Sequence, residues 1–240
     1  EIERSIITGN TVETTADIGG AGGGVVVNDA SAIISNSTSS GNHALGAGTD
    51  GEYSGRGGGV FLVGFAADTV VGIEDSTICD NTADVAGGGI AVQRIGGTDP
   101  IEVMLRNTVI AVNLDQGAAL PGNCSEESGA TITSGDFNLA DDLTCNLLEV
   151  DDLTVADVML GPLAAYGGPT MSHRPMPGSP VIDSGDDTMC PDTDQRGAPR
   201  PLDGDDDGDR HCDRGSVEFG VRFMDGFESG DTSAWSEAGQ

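Results

Sequence analysis

The chain contains no lysine and very few aromatic residues. All ten of its positive charges are arginines, against 40 aspartates and glutamates, so the formal net charge is -30. A field of this sign repels nucleic acids and anionic membrane surfaces, and it attracts divalent cations. Aromatic residues make up 4% of the 240 residues, which is little for a compact globular core. No apolar run approaches the roughly 20 residues of a membrane-spanning helix. We therefore expect neither a nucleic-acid partner nor direct membrane insertion.

The sequence also lacks a signal peptide and the common catalytic motifs. It opens with "EIERSIITGN", in the middle of a repeating pattern, so we expect a processed form that is missing upstream sequence. No GxSxG, HExxH or phosphate-binding loop occurs, and no lysine follows the "GGAGGG" at residues 19–24. Five cysteines in 24.2 kDa suggest an oxidising compartment.

Glycine, by contrast, is abundant and marks an internal repeat. The triplets Gly22–Gly24, Gly57–Gly59 and Gly87–Gly89 each precede a short apolar strand. Segments such as "NSTSSGNHA" and "DSTICDNTA" recur between them. The resulting unit of roughly 35 residues contains two short strands, which is the length range of solenoid repeats. It offers no helix for a βαβ unit.

The polar segments carry a second regular feature, a row of asparagines. The segments align on Ile6, Thr38, Thr77 and Thr108. Four positions later the first three carry Asn10, Asn42 and Asn81, which we predict to form a structural ladder. The fourth carries Val112 instead, with Asn113 one place late.

These patterns predict an all-β fold, a right-handed parallel β-helix whose turns stack on one another. Small inward Ser, Thr, Asn and Ala side chains fit a narrow interior, and glycine permits sharp turns between strands. A β-sandwich is the alternative fold, but it does not need an asparagine ladder.

From residue 121 onward the pattern changes to a series of specific motifs. "GPLAAYGGPTMSH", "PGSPVIDSG", "DQRGAPRP" and "CDRGSVEFG" follow one another in this order. The series resembles the C-terminal region of bacterial secreted parallel β-helix proteins of the choice-of-anchor Q domain type, and the rungs are loosely similar to polymorphic outer-membrane protein repeats. The resemblance implies rungs over residues 1–120, and a β-helix end with a loop-rich, disulfide-stapled cap over residues 121–223.

Residues 224–240 form a separate C-terminal tail in this division. "FMDGFESGDTSAWS" resembles a short tail of secreted proteins of Gram-negative bacteria. We predict a sorting, docking or assembly element with Phe223, Phe227 and Trp235 as its anchors; the alternative is an incidental extension. The resemblance places the protein outside the cell or on the outer cell surface.

Four cysteines are expected to form two disulfides. Both the resemblance and the local spacing pair Cys124 with Cys145 and Cys190 with Cys212; metal ligation is the alternative. Cys79 is left over. Its position beside Asn81 predicts an inward, small core residue, with a nucleophile as the alternative.

The stretch "DGDDDGDRHCD" at residues 203–213 resembles the first half of an EF-hand calcium loop. Aspartates occupy positions 1, 3 and 5, and Gly208 occupies position 6, but position 12 is Arg214. Asp213, one residue earlier, and Glu218, four residues later, are the candidate substitutes for the missing final ligand. Dense carboxylates repel one another unless a cation lies among them. We predict a calcium site with the ligands Asp203, Asp205, Asp207, Asp209 and Asp213; a solvated acidic turn is the alternative.

Other charged residues of the C-terminal region are interpreted as structural. Asp194, Arg196 and Arg200 are predicted to lock the cap by ion pairs. The three histidines, His43, His173 and His211, are far apart in sequence and form no catalytic order; His173 lies in a cap motif, and His211 is a candidate metal ligand.

The function predicted from these features is non-enzymatic. We expect a secreted or surface-held structural or adhesive β-solenoid, stabilised by calcium, whose partners are further copies of itself in a head-to-tail filament or a surface glycan. A polysaccharide lyase or hydrolase is the alternative. Such enzymes use a basic residue beside a metal or paired carboxylates, and the rungs offer only Arg56, Arg94 and Arg106 as positive charges.

Overall fold

The structure, a computed structural model, describes residues 1–13, 20–46, 54–65, 69–116, 120–127 and 129–220. The tail predicted for residues 224–240, with Phe227 and Trp235, and Phe223 just before it, lies outside the described residues. The described part of the chain contains 20 β-strands and no helix.

The strands follow one another turn by turn. The first turn contains β1 (Ile2–Glu3), β2 (Ile6–Thr8), β3 (Thr11–Glu13) and β4 (Val25–Asn28). The second contains β5 (Ala32–Ser35), β6 (Thr38–Ser40), β7 (His43–Leu45) and β8 (Val60–Gly64). The third contains β9 (Thr69–Glu74), β10 (Thr77–Cys79), β11 (Thr82–Ala83) and β12 (Ile90–Arg94). The fourth contains β13 (Ile101–Arg106), β14 (Val109–Ala111), β15 (Leu114–Asp115), β16 (Leu120–Pro121) and β17 (Cys124–Glu127). Finally come β18 (Thr131–Ser134), β19 (Leu139–Ala140) and β20 (Leu153–Thr154).

Equivalent strands of successive turns pair side by side and form four sheets. Sheet A has the order β1-β5-β9-β13-β18, and sheet B the order β2-β6-β10-β14-β19-β20. Sheet C contains β3, β7, β11, β15 and β16, and sheet D contains β4, β8, β12 and β17. All pairs are parallel except β15 with β16. The predicted all-β parallel β-helix is therefore confirmed, with about four turns.

The interior of the solenoid is aliphatic rather than small and polar. Its main cluster is built from inward positions of sheets A and D, such as Ile73, Leu105, Leu62 and Ile90, together with Ile78 of sheet B. The prediction of an interior filled by Ser, Thr, Asn and Ala is wrong for these faces. Branched side chains fill it because they pack well against their equivalents in neighbouring turns.

The glycine triplets let the backbones of successive turns approach closely. The first glycine of each triplet has a positive φ, 72° at Gly22 and 65° at Gly57. The third glycine lies against the turn above: a Cβ added at Gly24 would lie 2.5 Å from the Gly59 carbonyl oxygen, and one at Gly59 would lie 2.7 Å from that of Gly89. Only glycine fits here, because any side chain would push the turns apart.

The asparagines stand in one hydrogen-bonded column between sheets B and C. The Nδ2 of Asn10 donates to the Oδ1 of Asn42 at 3.0 Å, and that of Asn42 donates to the Oδ1 of Asn81 at 2.9 Å. Asn81 then donates to Asn113 at 3.0 Å, and Asn113 to Asn123 at 2.8 Å. The backbone N–H groups of Asn42 and Asn81 also donate to the next Oδ1 in the column. The ladder thus satisfies buried amides by stacking them.

The alignment on Thr108 is wrong by one residue. Val109, not Thr108, pairs with Thr77, which brings Asn113 into the ladder four positions later. Thr108 is equivalent to Ser76, since each hydroxyl donates to the backbone carbonyl two residues before it. The position opposite Thr77 accepts valine because it packs against aliphatic side chains of the C-terminal region.

The last turn is covered by the loop of residues 141–152. Asp141 accepts the Nδ2 of Asn123 at 2.7 Å and so ends the ladder, and Asp142 accepts the backbone N–H of Asn123 at 3.1 Å. Asp152 accepts the backbone N–H of Asn138 at 2.9 Å. Cys145 of this loop belongs to the main core cluster. Side-chain acceptors therefore take the place of the next turn.

We predict that Asn81→Ala lowers the free energy of unfolding by roughly 3 kcal/mol, because it leaves the buried backbone N–H of Asn42 without its acceptor and removes one hydrogen bond each from the Asn42 Nδ2 and the Asn113 Oδ1. Urea unfolding followed by circular dichroism measures this. Asn10→Ala is the matched control: Asn10 is exposed on the first turn, so its loss costs less than about 1 kcal/mol. Equal effects of the two substitutions would contradict the structural role of the ladder.

Candidate functional site

The C-terminal region, residues 155–220, lies along the outer face of sheet B and touches every turn. Gln195 reaches the first turn through Ser5, and Ser216 contacts Thr77 in the third. Arg214 donates to the carbonyl of Asn138 in the last turn at 2.8 Å. Sheet B is therefore buried on both faces. The predicted cap therefore covers the flank of the solenoid as well as its end.

Gln195 is the centre of this contact. Its Oε1 accepts the Thr38 hydroxyl at 2.6 Å, and its Nε2 donates to the Ser5 carbonyl at 3.1 Å and to the Thr170 hydroxyl at 3.0 Å. It is fully buried. The outward Ser and Thr side chains of sheet B thus pair with polar groups of the C-terminal region, which explains why this face is polar.

Asp194 and Arg196 form an ion pair within the "DQRG" turn. The Arg196 Nε donates to the Asp194 Oδ2 at 2.9 Å, and both side chains are buried. The other carboxylate oxygen of Asp194 accepts the backbone N–H groups of Arg196 and Ala198 at 2.8 and 3.0 Å. Such a carboxylate, with several donors and an arginine, organises the turn around itself.

Arg200 does not join that pair but binds Glu218. Its Nε donates to the Glu218 Oε2 at 2.8 Å, with both side chains buried. Glu218, a predicted substitute for the final calcium ligand, is therefore bound to Arg200 instead. Its Oε1 accepts the backbone N–H of Leu202 at 2.8 Å. The pair connects the end of the acidic loop to the last described residues.

Asp213 lies in the same buried network. Its Oδ1 accepts the backbone N–H of Asp183 at 2.8 Å, and its Oδ2 accepts that of Phe219. Burial, followed by the neighbouring carboxylate of Glu218, raises the pKa of Asp213 to about 8. Burial also raises the pKa of Glu218, against the effect of Arg200. Two carboxylates close together in the interior resist simultaneous ionisation.

The exposed acidic loop gathers a different set of carboxylates from the predicted one. Asp183, Asp203 and Asp205 place one carboxylate oxygen each within 4.8 Å of the others. Asp183, which sequence reasoning missed, accepts the backbone N–H groups of Gly204 and Asp205 at 3.0 and 2.9 Å. Burial and the charges of Asp205 and Asp203 raise its pKa. Three oxygens of this kind are the ligands that calcium prefers.

The remaining predicted ligands lie outside this cluster. Asp207 donates its backbone N–H to Asp203 and Asp205, and its carboxylate accepts the backbone N–H of Asp209 at 2.9 Å. Asp209 is exposed. Asp213, as described, is buried and bound to main-chain groups. Asp207 and Asp209 therefore shape the loop from within, and Asp213 anchors it to the core.

Cys79 is buried, but it faces the C-terminal region and not the solenoid interior. It alternates with Ile78, which belongs to the main core, and it lines a cavity together with His173. The prediction of an inward position is wrong, because sheet B has a second buried face. His173 is also buried, and its Nε2 lies 2.8 Å from the Ser40 hydroxyl.

The other two histidines are partly exposed and paired with aspartates. His43 Nε2 lies 3.5 Å from Asp84, and His211 Nδ1 lies 2.6 Å from Asp187. The hydrogen bond with Asp187 raises the pKa of His211. His211 therefore has a carboxylate partner outside the Asp183 cluster.

Both predicted disulfides are present. Cys124 pairs with Cys145, and Cys190 pairs with Cys212. The first ties the loop over the last turn to sheet D, and the second closes the segment that carries the acidic loop. Cys79 is the free cysteine.

Two of the three rung arginines lie in ion pairs. Arg56 binds Glu127, and Arg106 Nη2 donates to Asp186 at 2.7 Å. Arg94 lies beside Gly129. Within the described residues these arginines are spread over different turns and do not face a common groove with the Asp183 cluster.

The outer face of sheet A carries a row of exposed aliphatic side chains, which we call the sheet A stripe. Ile33, Gly72 and Met104 occupy one register across three turns, and Val70 lies two residues from Gly72. Their exposed fractions are 46% for Ile33, 38% for Val70 and 44% for Met104. They line a shallow groove of about 510 Å³. Contiguous apolar surface of this kind is typical of interaction sites.

No protein-family model matches the chain, and no curated protein or solved structure matches it significantly. A search of the described residues for a helix long and apolar enough to cross a membrane finds none.

Sequence reasoning missed Asp183 and Gln195, although both lie in motifs that it quoted. Each residue acts by meeting a segment that is distant in sequence: Asp183 meets the acidic loop, and Gln195 meets Ser5 and Thr38. The motifs mark these two positions as specific, but they do not indicate which residues the two side chains contact.

The raised pKa of Asp213 predicts a pH-dependent stability. A carboxyl that ionises near pH 4 in the unfolded chain and near pH 8 in the folded chain holds an extra proton in the folded state between these values. Stability then falls as the pH rises from about 4 to about 8, by at most about 1.4 kcal/mol per pH unit. Urea unfolding at several pH values measures this slope.

Asp213→Asn keeps the side chain neutral and should flatten the slope, while lowering the absolute stability through the loss of one backbone acceptor. Asp192→Asn, at an exposed position, is the control and should leave the slope unchanged. A slope that persists in Asp213→Asn would assign the pH dependence to another group.

Proposed function

We propose that the chain is a non-enzymatic structural or adhesive β-solenoid, secreted or held on the cell surface, of the choice-of-anchor Q domain type. The observation that carries this proposal is the sheet A stripe, a flat apolar surface in register over three turns. Such a surface suits contact with an extended or repetitive partner. The first partner we propose is another copy of the chain, and the second is a glycan or another component of the cell envelope.

The use of the charged residues supports a scaffold. Arg196 and Arg200 are buried in ion pairs with Asp194 and Glu218, and they fix the C-terminal region to itself. The hydrogen bonds of Gln195 then fix that region to sheet B. These groups cover one face of the solenoid, whereas the sheet A stripe stays exposed. Two disulfides suit an oxidising extracellular compartment.

We further propose that calcium binds at Asp183, Asp203 and Asp205. Their carboxylates already converge within 4.8 Å, and the carboxylate oxygens of Asp203 and Asp205 that accept a backbone N–H each keep a second lone pair. A cation relieves the repulsion from Asp205 and Asp203, which adds to the effect of burial in raising the pKa of Asp183. Because the loop lies within the segment closed by the Cys190–Cys212 disulfide and precedes Glu218, calcium would stiffen the link between the loop and the buried network.

The calcium proposal predicts a shift in thermal unfolding. At 100 times its Kd, calcium stabilises the folded state by about 2.7 kcal/mol, which corresponds to a rise in Tm of roughly 5–10 °C for a chain of this size. Differential scanning calorimetry with calcium and with EGTA measures the shift. Asp183→Asn should remove it, and Asp99→Asn, on an exposed loop, should keep it. An equal Tm in calcium and EGTA would refute calcium binding.

Self-assembly by end-to-end stacking is part of the same proposal. In the first turn, β1, β2, β3 and β4 each pair with one neighbouring strand among the described residues. Their outer edges present N–H and C=O groups to any further strand. A head-to-tail copy also needs a matching edge at the last turn, which the loop of residues 141–152 covers, so an open filament requires this loop to move aside.

Val26→Pro tests stacking with little damage to the fold. Val25 and Asp29 donate their N–H groups to β8, so the intervening even-numbered positions of β4 direct theirs to the outer edge. Proline at Val26 removes an edge donor while keeping the β4–β8 bonds. Negative-stain electron microscopy should show fibres for the native chain and for Val26→Thr, and short single rods for Val26→Pro. Rods for all three chains, or fibres for all three, would exclude stacking through this edge.

A further inference from the structure

A cavity of about 220 Å³ lies between sheet B and the C-terminal region. Cys79 and Asp80 line it from the solenoid, and Asp157, Leu160 and His173 line it from the C-terminal region. The cavity therefore brings a thiol, an imidazole and carboxylates together between the two layers.

The donor atoms of three of these residues converge. Cys79 Sγ, His173 Nε2 and a carboxylate oxygen of Asp80 all lie within 4.8 Å of one another. The distance from His173 Nε2 to the Asp80 Oδ2 is 3.9 Å. Ligand atoms around a tetrahedral zinc ion are about 3.3–3.8 Å apart, given bond lengths of about 2.0–2.3 Å. Small side-chain rotations are enough to reach this geometry, because Asp80 is exposed.

The tautomer of His173 is already fixed for metal binding. Its Nδ1 lies 2.9 Å from the Gly161 carbonyl oxygen, which can only accept, so Nδ1 carries the hydrogen. Nε2 therefore presents its lone pair towards Ser40, Cys79 and Asp80. A histidine whose second nitrogen donates to a backbone carbonyl is the usual arrangement around a metal-bound imidazole. Gly161 is itself held by the Arg174 carbonyl at 2.8 Å.

The electrostatic surroundings also favour a cation. The carboxylates of Asp80 and Asp141 place negative charge beside the buried Cys79 thiol. Asp157 adds a further carboxylate to the cavity wall. A bound divalent metal would balance this negative charge, since it stabilises a thiolate and the carboxylates together.

We propose that Cys79, Asp80 and His173 form a zinc site that fastens the C-terminal region to the solenoid. The Sγ, an Asp80 carboxylate oxygen and the His173 Nε2 supply three ligands, and a water molecule from the cavity supplies the fourth. The thiol proton leaves to solvent when the Zn–S bond forms. Thiolate and imidazole ligands select zinc over calcium, which prefers oxygen ligands only.

Cobalt titration of the complete metal-free chain tests the proposal. Co²⁺ reports on the same ligands, through a thiolate-to-cobalt charge-transfer band and visible d–d bands. We expect saturation at one equivalent of cobalt, displacement by one equivalent of Zn²⁺, and no displacement by excess Ca²⁺. A native chain that shows no thiolate-to-cobalt band would overturn the proposal.

Matched variants locate the site. Cys79→Ser should lose the charge-transfer band while keeping cooperative thermal unfolding. Asp80→Asn should weaken zinc binding more than about tenfold, since even residues outside the ligand shell contribute that much. Asp84→Asn removes the same charge beside His43 and should leave zinc affinity unchanged. The same band in Cys79→Ser, or equal effects of the two aspartate variants, would place cobalt elsewhere and refute the site.

Discussion

The stacking register of the turns is the constraint on which the rest of the molecule depends. In the asparagine ladder, each buried amide of Asn42, Asn81 and Asn113 must find both a donor and an acceptor in the neighbouring turns. A shift of one residue would bury these groups without partners. The same register brings Gly24 against Gly59 and aligns Ile33 with Met104 on sheet A through Gly72. The register that gives each ladder amide its hydrogen-bond partners therefore also produces the close glycine contacts and the sheet A stripe.

Sheet B shows how a second layer changes what a strand needs. Its inward residue Ile78 packs in the aliphatic interior, while its outward residues meet the C-terminal region. Thr38 and Thr77 find polar partners there, and Val109 finds aliphatic ones. A strand whose outward residues are Thr or Ser is predicted from sequence to face solvent. In sheet B these residues instead form the polar half of an interface with the C-terminal region, and this interface joins the turns to one another.

Regular and local features could be predicted from the sequence, and contacts between distant segments could not. The triplets, Asn10, Asn42 and Asn81 recur at readable spacing, and the two disulfides close short loops. The position of the C-terminal region depends on Gln195 meeting Thr38, 157 residues away in sequence, which no periodicity encodes. The acidic loop shows the same limit. The sequence shows the aspartates of the loop itself, but Asp183 joins their carboxylate cluster only in the folded chain. Asp213 does not join the cluster, because its buried carboxylate accepts two backbone N–H groups.

The large negative charge is handled in three ways, according to how much water each carboxylate retains. Asp194 and Glu218 are buried and receive arginines, so their charges are balanced within the fold. Asp213 is buried without an arginine on its carboxylate, and the raised pKa keeps it protonated up to about pH 8. Asp203 and Asp205 lie near solvent, where a carboxylate needs neither an arginine partner nor a bound proton. A cation from solution can balance their charges there. The same reasoning extends to the cavity beside Cys79, where carboxylates approach a buried thiol and an imidazole, and where a metal ion would neutralise groups that no arginine of the described residues lines.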